Sequence, residues 1–375
     1  MLRAAEKISD LIFSPGRPPQ VQVYGQLIPV QVPGLATLTP DDTRHIAADL
    51  IGDNKQAVAT LREAGSCDIS YGLAGVARFR VNIFIQRGSC AVVMRVISTA
   101  IPDLATLRLP AHLADVAKLR DGIVLVTGPA GSGKSSTLAV LLDCINREKY
   151  YHIITIEDPI EFLHRDKKGF VNQREVGVDT SRFSSALRAS LREDPDVILV
   201  GEMRDLETIG TALLAAETGH MVFSTLHTLD ATETIQRIIA VFPPPEQKQI
   251  RLQLASTLKA IISQRLVRKS DGIGRVPAVE VLVATAFIRD CIINPDKTRM
   301  IHDAIAAGVS QYGMQTFDQS LYDLYTQGLI TLEEALIRAT NPDEFKLRIQ
   351  GIRSTSDAAR EDMERSAQVD RFAKT

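Results

Sequence analysis

The sequence predicts a two-part α/β protein: a compact α+β module in the first hundred residues, then a doubly wound α/β domain carrying a helical subdomain. Three observations predict it. Four short apolar runs, 123–126, 152–156, 197–200 and 221–224, are separated by helix-sized stretches, the texture of a parallel sheet buried on both faces. The first of these runs leads into a glycine-rich turn and then into a helix-forming segment. A length of 375 residues provides for two to three domains.

Composition removes several classes. A hydrophobic share of 45% and a charged share of 23% fit an ordinary folded chain and exclude wholesale disorder or a fibrous repeat. The formal charge of -2 exerts no global pull on nucleic acid or anionic lipid, and with no Trp and 5% aromatics there is no base-stacking platform. A nucleic-acid partner is therefore not expected. Cys67, Cys90, Cys144 and Cys291 are scattered, with neither a metal-ligand spacing nor a disulfide framework, which suits a reducing cytoplasm and argues against zinc. Arg3, Glu6, Lys7 and Asp10 interrupt the stretch where a signal peptide would need an apolar core. No apolar run approaches the ~20 residues that cross a bilayer, so membrane contact is expected only through a partner.

The elements follow in order. Breaks at Pro15–Pro19 precede a strand at 21–24, Thr39-Pro40-Asp41 starts a helix over 41–50, a second helix spans 55–63, and strands follow at 78–86 and 91–96. The first domain is expected to cover 1–98, and 99–115, which includes the proline-bounded stretch 101–110, reads as a linker. The second domain is expected over 116–352. After Pro243–Pro245 it turns mostly helical, with 246–267 as one long helix and 332–339 as another. Residues 353–375 alternate acid and base with few large apolar side chains, predicting a tail outside the core or an exposed charged helix.

Gly128-Pro129-Ala130-Gly131-Ser132-Gly133-Lys134-Ser135, followed by Ser136, matches the phosphate-binding loop pattern and sits between strand and helix as that pattern requires. Its glycines let backbone N–H groups point at phosphate oxygens, Lys134 reaches the terminal phosphates, and Ser135 ligates Mg²⁺, so ATP with Mg²⁺ is the expected ligand. Glu157, Asp158 and Glu161 follow the 152–156 strand and emerge at the carboxyl edge of the sheet. One of them could polarise an attacking water; a solvated acidic loop is the alternative. The strand 197–200 leads into Gly201 and Glu202, placing an acid beside the Mg²⁺ shell although glycine stands where aspartate is usual. His220 and His227 flank a strand and are too far apart to share a metal; each either senses nucleotide or bonds backbone. Arg78, Arg80 and Asn82 alternate onto one strand face, and Arg95 lies between apolar neighbours and needs a partner. Arg188 and Arg192 stand one helical turn apart, and Arg204 follows Glu202. Each of these three arginines alone reads as a surface residue.

Together these residues resemble the secretion-ATPase family, most closely its PilT-like type IV pilus retraction ATPases. Ser9-Asp10-Leu11 with Gly16-Arg17-Pro18-Pro19 resembles the family's opening motif, 153–162 its Asp box, 197–205 its Walker B strand and 219–228 its His box. The resemblance implies a PAS-like N-terminal domain, a RecA-like ATPase domain, a homohexameric ring, and a cytoplasmic position at the inner-membrane face of the pilus machine. It implies a platform protein as partner and admits a paralogous ATPase. Glu161 becomes the catalytic carboxylate, Glu202 the Walker B acid, and Arg80 and Arg95 candidates for arginines approaching the γ-phosphate. Glu157, Asp158, Arg192, Arg204, His220 and His227 fall around the nucleotide. Residues 286–292 keep only part of the helix Ala-Ile-Arg-Asn-Leu-Ile of retraction ATPases, and 313–318 is similar to both PilT-like and PilU-like proteins. The lack of a paired-cysteine zinc insert and of a long extra N-terminal domain favours retraction over pilus extension or type II secretion. The competing classes are a nucleic-acid motor and a nucleotide-binding scaffold, and the presence of Lys134, Ser135, Glu161 and Glu202 favours an enzyme over the latter.

Overall fold

The computed structural model describes residues 1–2, 8–23, 26–73, 76–97 and 100–351. The expected tail over 353–375, the domain end at Ser98, the charges Arg3, Glu6 and Lys7, and Tyr24 lie outside the described residues. The chain divides into two units. One comprises 1–100 with two later segments, 159–163 and 177–179; the other comprises 101–158, 164–176 and 180 onward.

The first unit is built on a six-stranded antiparallel sheet. Its strands are β1 (Ile8–Phe13), β2 (Gln20–Val23), β3 (Gln26–Pro29), β4 (Ser66–Leu73), β5 (Ala77–Gln86) and β6 (Ser89–Ile97), in the spatial order β3-β2-β1-β6-β5-β4. Helices α1 (Pro40–Ile51) and α2 (Lys55–Ala64) supply Ala47, Ile51 and Ala57 to a core shared with Val21, Phe79, Val81, Ile83, Val92 and Met94. The start signal seen in the sequence is a capping box: Asp42 N–H donates to Thr39 Oγ1 at 3.1 Å, and Thr39 N–H donates to the Asp42 carboxylate at 2.8 Å. Strict alternation in β5 puts Phe79 and Val81 inside and Arg80 outside.

The second unit carries a seven-stranded sheet of order β13-β12-β7-β11-β10-β8-β9, formed by β7 (Gly122–Thr127), β8 (His152–Glu157), β9 (Phe170–Glu175), β10 (Val197–Val200), β11 (Met221–Leu226), β12 (Leu258–Arg268) and β13 (Arg275–Val283). All neighbours are parallel except β12 and β13. Both faces are covered. Ile123, Leu125, Ile154, Ile198 and Val222 pack on one side with helices α4 (Phe183–Ser190), α5 (Leu206–Glu217), α6 (Ala231–Ala240) and α7 (Pro244–Thr257). Val124, Val126, Ile153, Leu199 and Phe223 pack on the other with α3 (Lys134–Glu148). Helices α8 (Ala286–Ile293), α9 (Ile301–Ala307), α10 (Val309–Tyr312), α11 (Phe317–Thr326), α12 (Leu332–Arg338) and α13 (Pro342–Ile349) complete the unit, and Phe317, Leu321, Ala335 and Phe345 form a smaller core against Val267 and Val276. None of the described helices is long and apolar enough to cross a membrane.

Two expectations are corrected. Residues 246–267 are not one helix: α7 ends at Thr257 and β12 begins at Leu258. β12 lies between β7 and β13, where its apolar side chains are buried on both faces, so Ile261, Ile262 and Val267 favour a strand over continuing the helix. Residues 101–115, expected as linker, belong to the second unit: Leu104, Leu107, Leu109 and Leu113 pack beneath α3, and a 3₁₀ segment spans Ala111–Lys118.

A charged residue type also lies inside this sheet. Glu280 of β13 is buried, which pushes its carboxyl from 4.5 up to about 7. The native chain then holds a proton more tightly than the unfolded one, so this residue's contribution to stability declines as pH rises between those values. Glu280→Gln is neutral throughout. Its melting temperature should gain on the parent's from about pH 5 to about pH 8; a constant offset in thermal denaturation would contradict the burial argument.

Candidate nucleotide site

β7 delivers the glycine-rich loop to the carboxyl edge of the sheet. Gly128 has φ +139°, and a Cβ there would lie 2.3 Å from the Gln264 carbonyl oxygen of β12 and 2.6 Å from Ser132 Oγ. No other residue fits at that point. Gly133, at φ +95°, is the N-cap of α3, so the loop ends with free N–H groups aimed along the helix axis. Ser132 Oγ is buried with no hydrogen-bond partner among the described residues, a polar atom that a phosphate oxygen would satisfy. Ser135 is exposed on the first turn of α3, and Ser136 borders a cavity of about 340 Å³ together with Gly133, Thr137 and Gln264.

Lys134 is almost fully buried; its Nζ donates to the carbonyls of Gly128 at 2.9 Å and Pro129 at 3.0 Å. Burial lowers its pKa, and the nearby Glu202 works against that shift. Glu202 follows Gly201, whose N–H donates to Ile156 O at 2.7 Å and whose own carbonyl accepts from Thr225 Oγ1 at 2.7 Å, so β8 and β11 both fix the turn. Its carboxylate receives Arg204 Nε at 2.5 Å and His227 Nε2 at 3.1 Å. Burial would raise the Glu202 pKa, but the Arg204 guanidinium and the His227 ring N–H outweigh it and hold the carboxyl below its ordinary value. His227 Nδ1 lies 3.5 Å from Lys134 Nζ. A neutral imidazole with its proton on Nε2 satisfies both contacts, donating to Glu202 and accepting from Lys134. The structure thus joins Lys134 at the start of α3, His227 just after β11, and Glu202 and Arg204 in the turn after β10 in one network.

Other predicted residues stand elsewhere. His220 precedes β11, at the opposite edge of the sheet, with Nδ1 3.0 Å from Ala215 O; six residues of strand separate it from His227 by about 20 Å. Arg192 lies in the turn leading into the start of β10, also away from the loop. Glu157 faces its own sheet, accepting from Thr155 Oγ1 at 2.6 Å and Gln173 Nε2 at 3.0 Å. Asp158 is exposed and borders a cavity of about 410 Å³ with Arg182 and Asp205. In the first unit Glu161 is exposed within segment 159–163. There too, Arg95 finds the partner it needs in buried Asp10 of β1, Nε to Oδ1 3.0 Å, while its own side chain is 69% exposed. Arg80 sits directly across from Arg95 in the register and 4.0 Å from Asp68. Each of the two neighbouring arginines thus has a carboxylate beside it, which offsets their mutual repulsion.

The sequence missed the groups that brace the loop from β12. Thr127 Oγ1 donates to Ser263 Oγ at 3.0 Å, and Gln264 Nε2 lies 2.8 Å from Thr137 Oγ1 of α3. Expecting a helix over 246–267 hid them; the polar pair Ser263-Gln264 directly after Ile261-Ile262 was the available signal. Among the described residues no group of three or more His, Cys, Asp or Glu could hold a metal ion.

A parallel strand, a glycine turn, a buried lysine opening a helix, and an acid two strands away define a P-loop nucleoside triphosphate site. The family model of the Type II/IV secretion system proteins matches residues 69–316, and the chain belongs to that family. It is 46% identical to the type IV pilus retraction ATPase PilT of Pseudomonas aeruginosa, over 91% of this chain and 97% of that one. To the type IV pilus ATPase PilU of the same organism it is 40% identical, over 93% and 90%. A crystal structure of the pilus retraction motor PilT with bound ADP superposes with a TM-score of 0.81 at 47% identity, covering 90% of this chain and 95% of that one. That agreement extends to both the antiparallel N-terminal sheet and the parallel-rich sheet with its helical C-terminal part.

Lys134→Ala should weaken ATP or ADP binding by about tenfold or more, roughly 1.4 kcal/mol, in a fluorescent-nucleotide titration, with the circular dichroism spectrum unchanged. Affinity within about twofold of the parent would remove Lys134 from the phosphate site.

Proposed function

We propose that this protein is a motor ATPase that couples ATP hydrolysis to retraction of a type IV pilus. The single observation that carries the proposal is the Lys134–His227–Glu202 network in a chain that matches a retraction ATPase over 97% of that protein's length. The identity of 46% to PilT against 40% to PilU favours the retraction motor over the accessory paralogue.

ATP binds with its β- and γ-phosphates on the N–H groups of residues 128–135 and on Lys134, whose ammonium moves from the loop's own carbonyls to phosphate oxygens. Ser135 and Glu202 are oxygen donors of the kind a hard divalent cation takes; they would hold Mg²⁺, which would supply charge neutralisation at the phosphates. Glu161 accepts the proton of the attacking water. Asp158 and Arg204 bound the same edge of the sheet. His227, touching both Lys134 and Glu202, responds when either is drawn to the phosphates. Arg80 and Arg95, exposed and paired, approach the γ-phosphate of a neighbouring subunit in a homohexamer, and an arginine so supplied contributes about 10³ to 10⁵ in rate. The ring works in the cytoplasm at the inner-membrane face, on a platform protein of the pilus machine, and a paralogous ATPase joins it. Nucleic acid has no part in this.

Glu161→Gln should keep ATP binding and lose about 10²- to 10⁴-fold in phosphate release, because an amide cannot take the proton. Near-normal turnover would assign the base elsewhere. In a deletion strain, the parent gene should restore pilus retraction and the Glu161→Gln gene should not; retraction that persists in the deletion strain would refute the motor assignment. Mixed rings of Arg95→Ala and Lys134→Ala chains, each inactive alone, should recover activity, with Arg80→Ala run in parallel. Verified mixed rings without activity would exclude an arginine supplied from a neighbour.

A further inference from the structure

The segment that carries His227 is held from below by a residue outside every motif considered above. After β11 the chain runs His227-Thr228-Leu229-Asp230 into α6, and most of its bonds are to α6 itself: Thr228 Oγ1 to Thr234 Oγ1 at 2.6 Å, Leu229 N–H to the Glu233 carboxylate at 2.8 Å, and Glu233 N–H to the Asp230 carboxylate at 2.7 Å. These ties are local, so they shape the turn without fixing where it stands relative to the P-loop. The fixed point comes from β13. Ala231 N–H, the first donor of α6, gives its hydrogen bond to Glu280 Oε1 at 2.8 Å.

Ser263 stands directly across from Glu280 in the β12–β13 pair, where its hydroxyl favours the charged carboxylate, and Ser263 Oγ accepts from Thr127, the residue immediately before Gly128. A chain of neighbours therefore runs from the root of the P-loop through Ser263 and Glu280 to the start of α6, four residues after His227. Arg265 of β12 backs the same turn, with Nη2 3.5 Å from Leu229 O and Nη1 3.2 Å from Arg338 O at the end of α12. Burying an acid is expensive, and packing alone would be served by an apolar residue at 280. What the carboxylate adds is two acceptors aimed at two elements that both end in the nucleotide site.

We propose that Glu280 is a positioning residue for ATP hydrolysis: by bonding Ala231 N–H and Ser263 together it fixes the His227 turn against the P-loop. Its position supports this, since Ala231 of α6 bonds the carboxylate and Ser263, which accepts from Thr127, lies directly across from it in the sheet. Arg265 and Asp230, the charged groups facing it, pull its ionisation in opposite directions, while burial raises it. This inference rests on the ATPase reading and concerns only how that site is held.

The test is steady-state ATP hydrolysis by the full chain. Glu280→Ala should lower kcat about tenfold or more while KM for ATP moves less than about threefold, because a misplaced His227 affects the transition state more than the bound phosphates. Glu280→Gln should recover kcat to within about threefold of the parent, its amide oxygen accepting from Ala231 and its nitrogen donating to Ser263. Combining Glu280→Ala with His227→Ala should cost no more than the larger single loss, since both act through one group. Should Glu280→Ala fail to fold, Glu280→Asp, one methylene short of Ala231, should show the same fall in kcat. Unchanged kcat in the variant that folds, a Glu280→Gln as defective as Glu280→Ala, or losses that multiply in the double variant would each overturn the proposal. A parent that does not hydrolyse ATP would instead overturn the ATPase reading.

Discussion

The nucleotide site depends on one close approach: the backbone at Gly128 rests on the carbonyl of Gln264, where a Cβ would come within 2.3 Å of that oxygen. This contact sets how sharply the chain turns out of β7, and so where the N–H groups of the loop point. It also requires a strand beside β7 rather than a helix, because only an extended neighbour in parallel register brings Ile262 to Val126 and Ser263 to Thr127. From that register follow the Thr127–Ser263 hydrogen bond and the Gln264–Thr137 bond that ties the base of α3 to β12. Loop, helix and strand are thus fixed as one piece before any ligand enters.

Electrostatics then act on a rigid frame. Lys134 is costly to bury as an ammonium, and three acceptors lessen that cost: two loop carbonyls and the imidazole of His227. On the other side of the same imidazole, Glu202 is kept ionised by Arg204 and His227 in spite of its burial. Lys134 can leave the imidazole for a phosphate oxygen at little cost, since it exchanges one hydrogen bond for another. That is the physical basis for reading the arrangement as a site that reports whether the phosphates are present.

Much of this was legible in the sequence, and the reasons differ by element. The four central strands announced themselves because strands buried on both faces must be continuously apolar, and the P-loop because its glycines are demanded by backbone geometry. The helix start at Thr39 was readable from capping chemistry, and that of α7 was expected just after the prolines 243–245, two residues late. β12 was not: a run such as Leu258 to Arg268 has the length and composition of either element, and what decides it is the pairing with β7 and β13, which is not local. The same blindness applied to Ser263, Gln264 and Glu280, whose roles exist only across strands. Arg95 was half legible. Its need for a partner followed from its neighbours, but that the partner is Asp10, 85 residues earlier, is a property of the sheet order β1-β6-β5. His220 and His227 look equivalent in sequence, and only the direction of β11 separates them.

The backbone contact between Gly128 and Gln264 creates the phosphate site. Nucleotide titration of Gly128→Ala measures it most directly, alongside circular dichroism and the thermal melting of the same sample. The added methyl group should force the loop off β12, so that ADP affinity falls by about tenfold or more while secondary-structure content is retained. A Gly128→Ala chain that binds ADP as tightly as the parent would contradict it, because the loop would then be free to form the site without the contact that the rest of the structure is arranged to provide.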